Sequence, residues 1–155
     1  MCVAASAAVV IRMGFWRFLR VEFRWEAAHR IPWHEGGCHS LHGHSCHMTM
    51  ELEGETDARG MVIDFKEIKA IVRPLVDEWD HSVMAHDEDR ELIAAVESLG
   101  SKLSVLPCDT TAENVCQVAL EWILELGRER LVELGITGVV IRVRETVTSY
   151  AEVAG

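Results

Sequence analysis

The chain has 155 residues, of which 49% are hydrophobic, so one domain can bury a full core without disulfide support. Its formal net charge of −10 makes nucleic acid and anionic membrane surfaces poor partners. Five cysteines without regular spacing argue against a secreted disulfide framework and favour a cytoplasmic location.

Residues 1–14 are expected to be a disordered leader ahead of a single domain at 15–155. The first eleven residues are small and apolar, and Arg12 and Arg17 follow them, which is the reverse of the order in a signal peptide. The stretch is also too short to span a bilayer. Met13 is an alternative start of the chain.

Two early segments alternate between apolar and polar residues and therefore predict half-buried strands at 18–29 and 42–53. The residues between them, 30–40, contain proline and two glycines and predict a loop. A turn is expected at 54–60.

The next elements are helical. Asp64, followed three residues later by Glu67, predicts a helix start, and Pro74 is expected to kink the helix or end its regular part. A short helix at 90–99 and an extended piece at 102–106 are expected after it. The apolar stripe of the first helix comprises Phe65, Ile68, Ile71, Val72, Leu75 and Trp79.

A second long helix is predicted after a capping box formed by Thr110 and Glu113, and it should end by Gly135. Residues 138–146 then predict a last strand. The apolar side of this helix comprises Val115, Val118, Ala119, Trp122, Ile123 and Leu126. The order of elements predicts an α+β fold with helices on one face of an antiparallel sheet.

Four polar side chains fall on the core-facing side of the strands, each at a strand end: His29, His42, His44 and Glu145. Three imidazoles suit zinc and leave a fourth coordination position open for water or substrate, as in catalytic sites. Cys38 offers two alternatives: it completes a closed site, or it is a reactive thiol beside an open one. The loose spacing between Cys38 and His42 favours the reactive thiol.

Two further features have simpler interpretations. Asp80 and His81 are adjacent in the sequence. They are either a surface pair at a helix end or a functional pair in which the carboxylate orients the imidazole. His47 faces outward on its strand and is not expected to be a ligand, while Cys46 faces inward as a small buried side chain.

Six motifs follow one another along the chain: Ala27-Ala28-His29-Arg30, Cys38-x-x-x-His42-Gly43-His44-Ser45, Gly60-Met61-Val62-Ile63-Asp64-Phe65-x-x-Ile68-Lys69, Asp80-His81, Thr110-Thr111-Ala112-Glu113-Asn114 and Arg144-Glu145-Thr146. Together they resemble the 6-pyruvoyl-tetrahydropterin synthase family from about Phe18 to Tyr150. Within that family the chain looks most like the bacterial 6-carboxy-5,6,7,8-tetrahydropterin synthase branch.

The resemblance implies a tunnelling fold (T-fold), a four-stranded antiparallel sheet with two helices on one face. Such protomers form trimeric barrels that stack as homohexamers, with active sites at subunit interfaces. The remaining strand is expected at 61–64, as the return of a hairpin over 42–63, or alternatively within 102–107. Two departures from the family pattern are Met84-Ala85 in place of Leu-Asn and a long segment between His81 and Thr110.

The resemblance also implies roles for residues. His29, His42 and His44 would bind Zn²⁺, Cys38 would be the general base, and Asp80 and His81 would be its relay or the proton donor. Glu145 would anchor a pterin, with Thr110, Thr111 or Glu113 lining the pocket.

The implied activity is a zinc-dependent lyase that converts 7,8-dihydroneopterin triphosphate into 6-carboxy-5,6,7,8-tetrahydropterin, acetaldehyde and triphosphate for queuosine biosynthesis. The alternatives are a 6-pyruvoyl-tetrahydropterin synthase, which only eliminates triphosphate, and a non-catalytic zinc or pterin-binding module.

Overall fold

The computed structural model describes residues 16–155, so the expected leader at 1–14 lies outside the described residues. The described chain contains six strands and three helices longer than one turn. These are β1 (Trp16–His29), β2 (His42–Glu55), α1 (Phe65–Trp79), β3 (Ser82–His86), α2 (Arg90–Ser98), β4 (Leu103–Leu106), α3 (Ala112–Glu133), β5 (Ile136–Arg144) and β6 (Ala151–Ala154).

The strands form one sheet in the order β4-β3-β1-β2-β5-β6. Its centre is antiparallel: β1 pairs with β2 over its whole length, and β2 pairs with β5. The two added strands β3 and β4 run parallel to their neighbours, and β6 is antiparallel to β5. The predicted fold class is confirmed, although the sheet has six strands rather than four.

The return strand expected at 61–64 is wrong. The Met61 carbonyl accepts a hydrogen bond from the Asp57 N–H (2.7 Å), and the Met61 N–H donates to Asp57 Oδ1 (2.9 Å), so this stretch closes a turn. The alternative placement within 102–107 corresponds to β4. Strands β3 and β6 have five and four residues, too short for a clear alternation in the sequence.

The main core lies between one face of the sheet and the two long helices, as predicted. Side chains from β2 and β5 alternate into it, and α1 and α3 cover them. Phe65 and Leu126, expected on the apolar stripes, are instead exposed at the helix surface. Fully buried members of the core include Met48, Met50, Ile68, Val72, Leu75, Ile123 and Ile141.

The short helix α2 packs separately from this core. It forms a small cluster with the opposite face of β3 and β4. Among the described residues that cluster comprises Ala85, Leu92 and Val96, with Val83, Ile93 and Leu103 packed against it. The long segment between His81 and Thr110 is therefore an ordered β3-α2-β4 unit at the sheet edge.

The predicted cap of α1 is confirmed, whereas the predicted cap of α3 is wrong by one residue. The Asp64 side chain caps α1 by accepting the Lys66 N–H (2.8 Å), and α1 continues past Pro74. The cap of α3 is Thr111, which accepts the Asn114 N–H (3.3 Å), so the predicted Thr110 capping box is displaced by one residue. No helix among the described residues is long and apolar enough to cross a membrane.

Truncating the core should destabilise the fold far more than truncating the surface. Leu75 lies on the core-facing side of α1 and is fully buried (0% exposed), whereas Leu99 is 77% exposed. We predict that Leu75→Ala lowers the free energy of unfolding by about 2–5 kcal/mol through lost burial and a residual cavity. Leu99→Ala should change it by at most about 0.5 kcal/mol. Urea unfolding of both variants checks this, and equal losses would contradict the described packing.

Candidate metal centre and active site

Three histidines converge where β1 ends and β2 begins. His29 lies directly opposite His42 in the strand register, and His44 follows two residues later on the same face. Their ring centroids are separated by 4.7, 5.2 and 4.8 Å. One ring nitrogen from each lies within 4.8 Å of the others. The structure therefore brings together the three histidines that the sequence singled out as ligands.

Backbone carbonyls orient two of these rings. His29 Nδ1 lies 2.8 Å from the Thr110 carbonyl oxygen, and His42 Nδ1 lies 2.8 Å from the Ser40 carbonyl oxygen. A carbonyl only accepts, so each Nδ1 carries the proton and each Nε2 keeps a free lone pair. Metal-binding histidines are held in this way, with the second nitrogen fixed by an outer partner.

The His29 ring is the most deeply placed of the three. It is 6% exposed, and its Nε2 is buried without a hydrogen-bond partner. Burial lowers the pKa of His29 from 6.5 to about 4; the Thr110 carbonyl opposes this shift, while His42 and His44 add to it. Burial and His42 also lower the pKa of His44. Neutral imidazoles with an unpaired buried nitrogen fit a bound divalent cation.

Glu145 lies beside this cluster, directly after β5. Its Oε1 is 4.0 Å from His29 Nε2. Burial raises the pKa of the Glu145 carboxyl; His42 opposes that shift, and the nearby Glu113 adds to it. A carboxylate in such a place gains from a ligand that offers hydrogen-bond donors, because those donors stabilise its charged form.

Cys38 lies on the loop before β2, in the single turn Gly37–His39. Its carbonyl accepts the Ile31 N–H (2.7 Å), which folds the loop back on itself, and its thiol is partly exposed. Cys38 is not a member of the ligand group that the three histidines form among the described residues. The geometry supports an open three-histidine centre over a closed site that includes the thiol.

Asp80 and His81 form a pair at the end of α1. Asp80 Oδ1 accepts the Glu26 N–H (2.9 Å), and Oδ2 lies 3.0 Å from His81 Nδ1. The Glu26 N–H is the main cause of a lowered Asp80 pKa. The His81 side chain is 77% exposed, and no hydrogen bond or ion pair joins the pair to Cys38 within residues 16–155. One chain alone therefore does not assemble the predicted thiol, carboxylate and imidazole.

The three residues expected to line a pocket have different surroundings. Thr110 is 1% exposed, and both its carbonyl and its hydroxyl (3.2 Å) face His29 Nδ1, so it holds a ring in place. Thr111 caps α3, and Glu113 is exposed in the first turn of that helix. The sequence did not predict that the Thr110 and Ser40 carbonyls orient two of the rings, because a backbone carbonyl is present at every residue.

An enclosed cavity lies behind the histidines, lined by side chains that include Cys46 and Val115 as well as His29, His44 and Glu145. Its free volume of about 10 Å³ is room for roughly one water. This cavity is therefore too small to hold a substrate.

Comparison with known proteins identifies the family of the chain. A family model described as 6-pyruvoyl tetrahydropterin synthase matches residues 18–155. The chain belongs to this family. The prediction of an enzyme, a lyase of the tetrahydropterin synthase type, is thereby confirmed.

Relatives and solved structures extend the match. The chain is 31% identical over 139 residues to a Haemophilus influenzae protein named 6-carboxy-5,6,7,8-tetrahydropterin synthase, covering 84% of this chain and 94% of that one. It is 40% identical over 99 residues to a Rickettsia bellii protein of the same name, covering 62% and 70%.

The fold matches the 6-pyruvoyl tetrahydropterin synthases of Plasmodium vivax and Caenorhabditis elegans. For Plasmodium vivax the TM-score is 0.74 at 20% identity, covering 91% of this chain and 98% of that one. For Caenorhabditis elegans the TM-score is 0.65 at 22% identity, covering 92% and 97%. These structures confirm the T-fold.

Because the pKa of His29 is lowered, we expect the metal-free protein to lose folding stability in acid. Between pH 6.5 and about pH 4 the unfolded chain takes up a proton that folded His29 does not, so the free energy of unfolding falls as the pH falls. The loss from this residue should reach about 3 kcal/mol near pH 4 and be absent above the unfolded pKa.

Urea unfolding of chelator-treated wild type and His29→Gln from neutral to acid pH checks this. The difference in stability between the two proteins should shift in favour of the variant as the pH falls. A difference that stays constant across that range would contradict the burial of a neutral imidazole.

Proposed function

We propose that this protein is a zinc-dependent lyase that converts 7,8-dihydroneopterin triphosphate into 6-carboxy-5,6,7,8-tetrahydropterin, acetaldehyde and triphosphate, as a step in queuosine or related deazapurine biosynthesis. The observation that carries the proposal is the cluster of His29, His42 and His44, with the buried and unpaired His29 Nε2. The names of the relatives at 31% and 40% identity support the carboxy product.

Zinc is the metal that best suits the donor set. Three neutral imidazoles give nitrogen ligands without charge, and three protein ligands leave a fourth position open. When bound, zinc would supply Lewis acidity and a template for the side-chain hydroxyls of the substrate. Glu145 and Cys38 lie outside the group of three and remain free for other roles.

Residues of the chain supply the other steps. Glu145 anchors the pterin by accepting hydrogen bonds from its guanidine-like edge, and those donors favour the carboxylate that burial disfavours. Cys38, as a thiolate, removes a proton from a side-chain carbon of the substrate. Thr110 keeps the His29 ring in place, and Glu113 lies close enough to Glu145 to influence its charge.

Asp80 and His81 complete the site from a neighbouring subunit of a homohexamer. The Asp80 carboxylate fixes His81 through Nδ1, which leaves the exposed Nε2 for proton exchange. Their exposure, and the absence of a hydrogen bond or ion pair with Cys38 among the described residues, support a role across a subunit interface. A cytoplasmic location stays a prediction.

Product analysis tests the proposal. Incubation with 7,8-dihydroneopterin triphosphate, followed by mass spectrometry, should reveal the carboxy product and acetaldehyde from a sample that carries zinc. A pyruvoyl product would assign the protein to the triphosphate-eliminating rival. Release of no triphosphate from a zinc-loaded sample would favour a non-catalytic binding module.

Replacing the proposed base separates chemistry from metal binding. Cys38→Ala should keep the zinc content of the wild type and lose turnover by about 10²–10⁴-fold, the usual contribution of a positioned general base. Cys108→Ala is the matched control, since Cys108 is a partly exposed free thiol that no part of the proposal uses. Full turnover by zinc-loaded Cys38→Ala would contradict the assignment.

A further inference from the structure

Asp89 caps the N-terminus of α2, and its carboxylate also forms an ion pair with Arg30. Oδ1 accepts the Leu92 N–H (3.2 Å) as a helix cap. The same carboxylate accepts two hydrogen bonds from Arg30, from Nε to Oδ2 (2.8 Å) and from Nη2 to Oδ1 (2.6 Å). The Asp89 side chain is only 6% exposed, so this two-pronged pair is largely shielded from water.

Arg30 directly follows His29, at the point where β1 ends. Its carbonyl accepts the Thr110 hydroxyl (3.4 Å), and the Thr110 carbonyl in turn accepts from His29 Nδ1 (2.8 Å). Consecutive contacts therefore connect the α2 cap, the end of β1, the segment before α3 and one imidazole of the cluster.

The packing of α2 indicates that the Arg30–Asp89 pair does not serve the main core. The helix rests on its own small cluster at the sheet edge and adds nothing to the main core among the described residues. A shielded ion pair also contributes little net stability compared with apolar packing, because both ions lose their hydration. Core stability therefore does not account for the Arg30–Asp89 pair, whereas fixing the backbone next to His29 does.

We infer that Arg30 and Asp89 are positioning residues of the metal centre, which hold the end of β1 so that His29 Nε2 meets the nitrogens of His42 and His44. The inference rests on the metal centre of the proposed function. It also assigns a role to the β3-α2-β4 unit, because the helix cap of this unit anchors the end of a ligand-bearing strand.

The test is metal affinity, measured on chelator-treated protein by competition with a chromophoric chelator for Zn²⁺ and by the visible absorption of the Co²⁺ form. Asp89→Asn removes the charge of the carboxylate but keeps an equally good helix cap. The matched control is Asp64→Asn, the cap of α1, whose carboxylate accepts the Lys66 N–H (2.8 Å).

We expect Asp89→Asn to weaken Zn²⁺ binding by about tenfold, the lower end of the effect of outer partners of metal ligands. Its Co²⁺ absorption should differ from that of the wild type, because the geometry around the ion changes. Asp64→Asn should retain wild-type affinity and wild-type Co²⁺ absorption.

A second variant protects the test against a folding defect. Arg30→Lys keeps the charge and loses the planar fork, so it should weaken metal binding as Asp89→Asn does. Arg30 Nη2 also donates to Glu91 Oε2 (3.0 Å), whose side chain is 86% exposed. Asp89→Asn and Arg30→Lys both weaken the two-pronged Arg30–Asp89 contact, so their effects on metal binding should not add in the double variant. Urea unfolding of the metal-free proteins confirms that each variant is folded at the temperature used.

The outcomes separate the two proposals. If the wild type binds neither ion, the metal centre and this inference both fail. If the wild type binds and both variants bind as tightly with the same Co²⁺ absorption, this inference alone fails, even where the variants unfold more easily.

Discussion

The continuous antiparallel pairing of β1 with β2 is the constraint on which the rest of the site depends. The register runs without interruption from Trp16 opposite Glu55 to His29 opposite His42. Shifting it by one residue would turn a whole row of side chains to the other face of the sheet. The core and the histidine cluster are therefore specified together, because Met48 and Met50 reach the core only in the register that also places His42 and His44 beside His29.

Burial then sets the chemistry of the cluster. The His29 ring lies at the edge of an apolar core, where a charged imidazole is disfavoured and an unpaired nitrogen is costly. The carbonyls of Thr110 and Ser40 fix two rings by their Nδ1 atoms, so the Nε2 atoms of His29 and His42 are left free for a ligand. Thr110 supports His29 from a distant part of the chain, whereas Ser40 is only two residues from His42. A metal ion would bind the ring nitrogens that these contacts leave free.

Residue alternation and capping patterns were enough to predict β1, β2, α1, α3 and β5, and hence the inward position of all three histidines. They did not predict β3 and β6, which are too short to show a period, and they misplaced the cap of α3 by one residue. That error has a physical origin: Thr110 and Thr111 are equally good caps by residue type, and only the contact with His29 distinguishes them. The contact between Asp89 and Arg30 was also beyond the sequence, because the two residues are 59 positions apart and no residue pattern connects them.

In the proposed site three histidines hold the metal, and the Cys38 thiol does not bind it. X-ray absorption spectroscopy of the zinc-loaded protein distinguishes this site from a closed one, because zinc–nitrogen and zinc–sulfur distances differ by about 0.2–0.3 Å. We expect a shell of nitrogen or oxygen neighbours at about 2.0–2.1 Å that fits three imidazoles and one light atom. A sulfur neighbour at about 2.3 Å that is absent in Cys38→Ala would instead show a closed four-ligand site, with Cys38 as a ligand and not as a base.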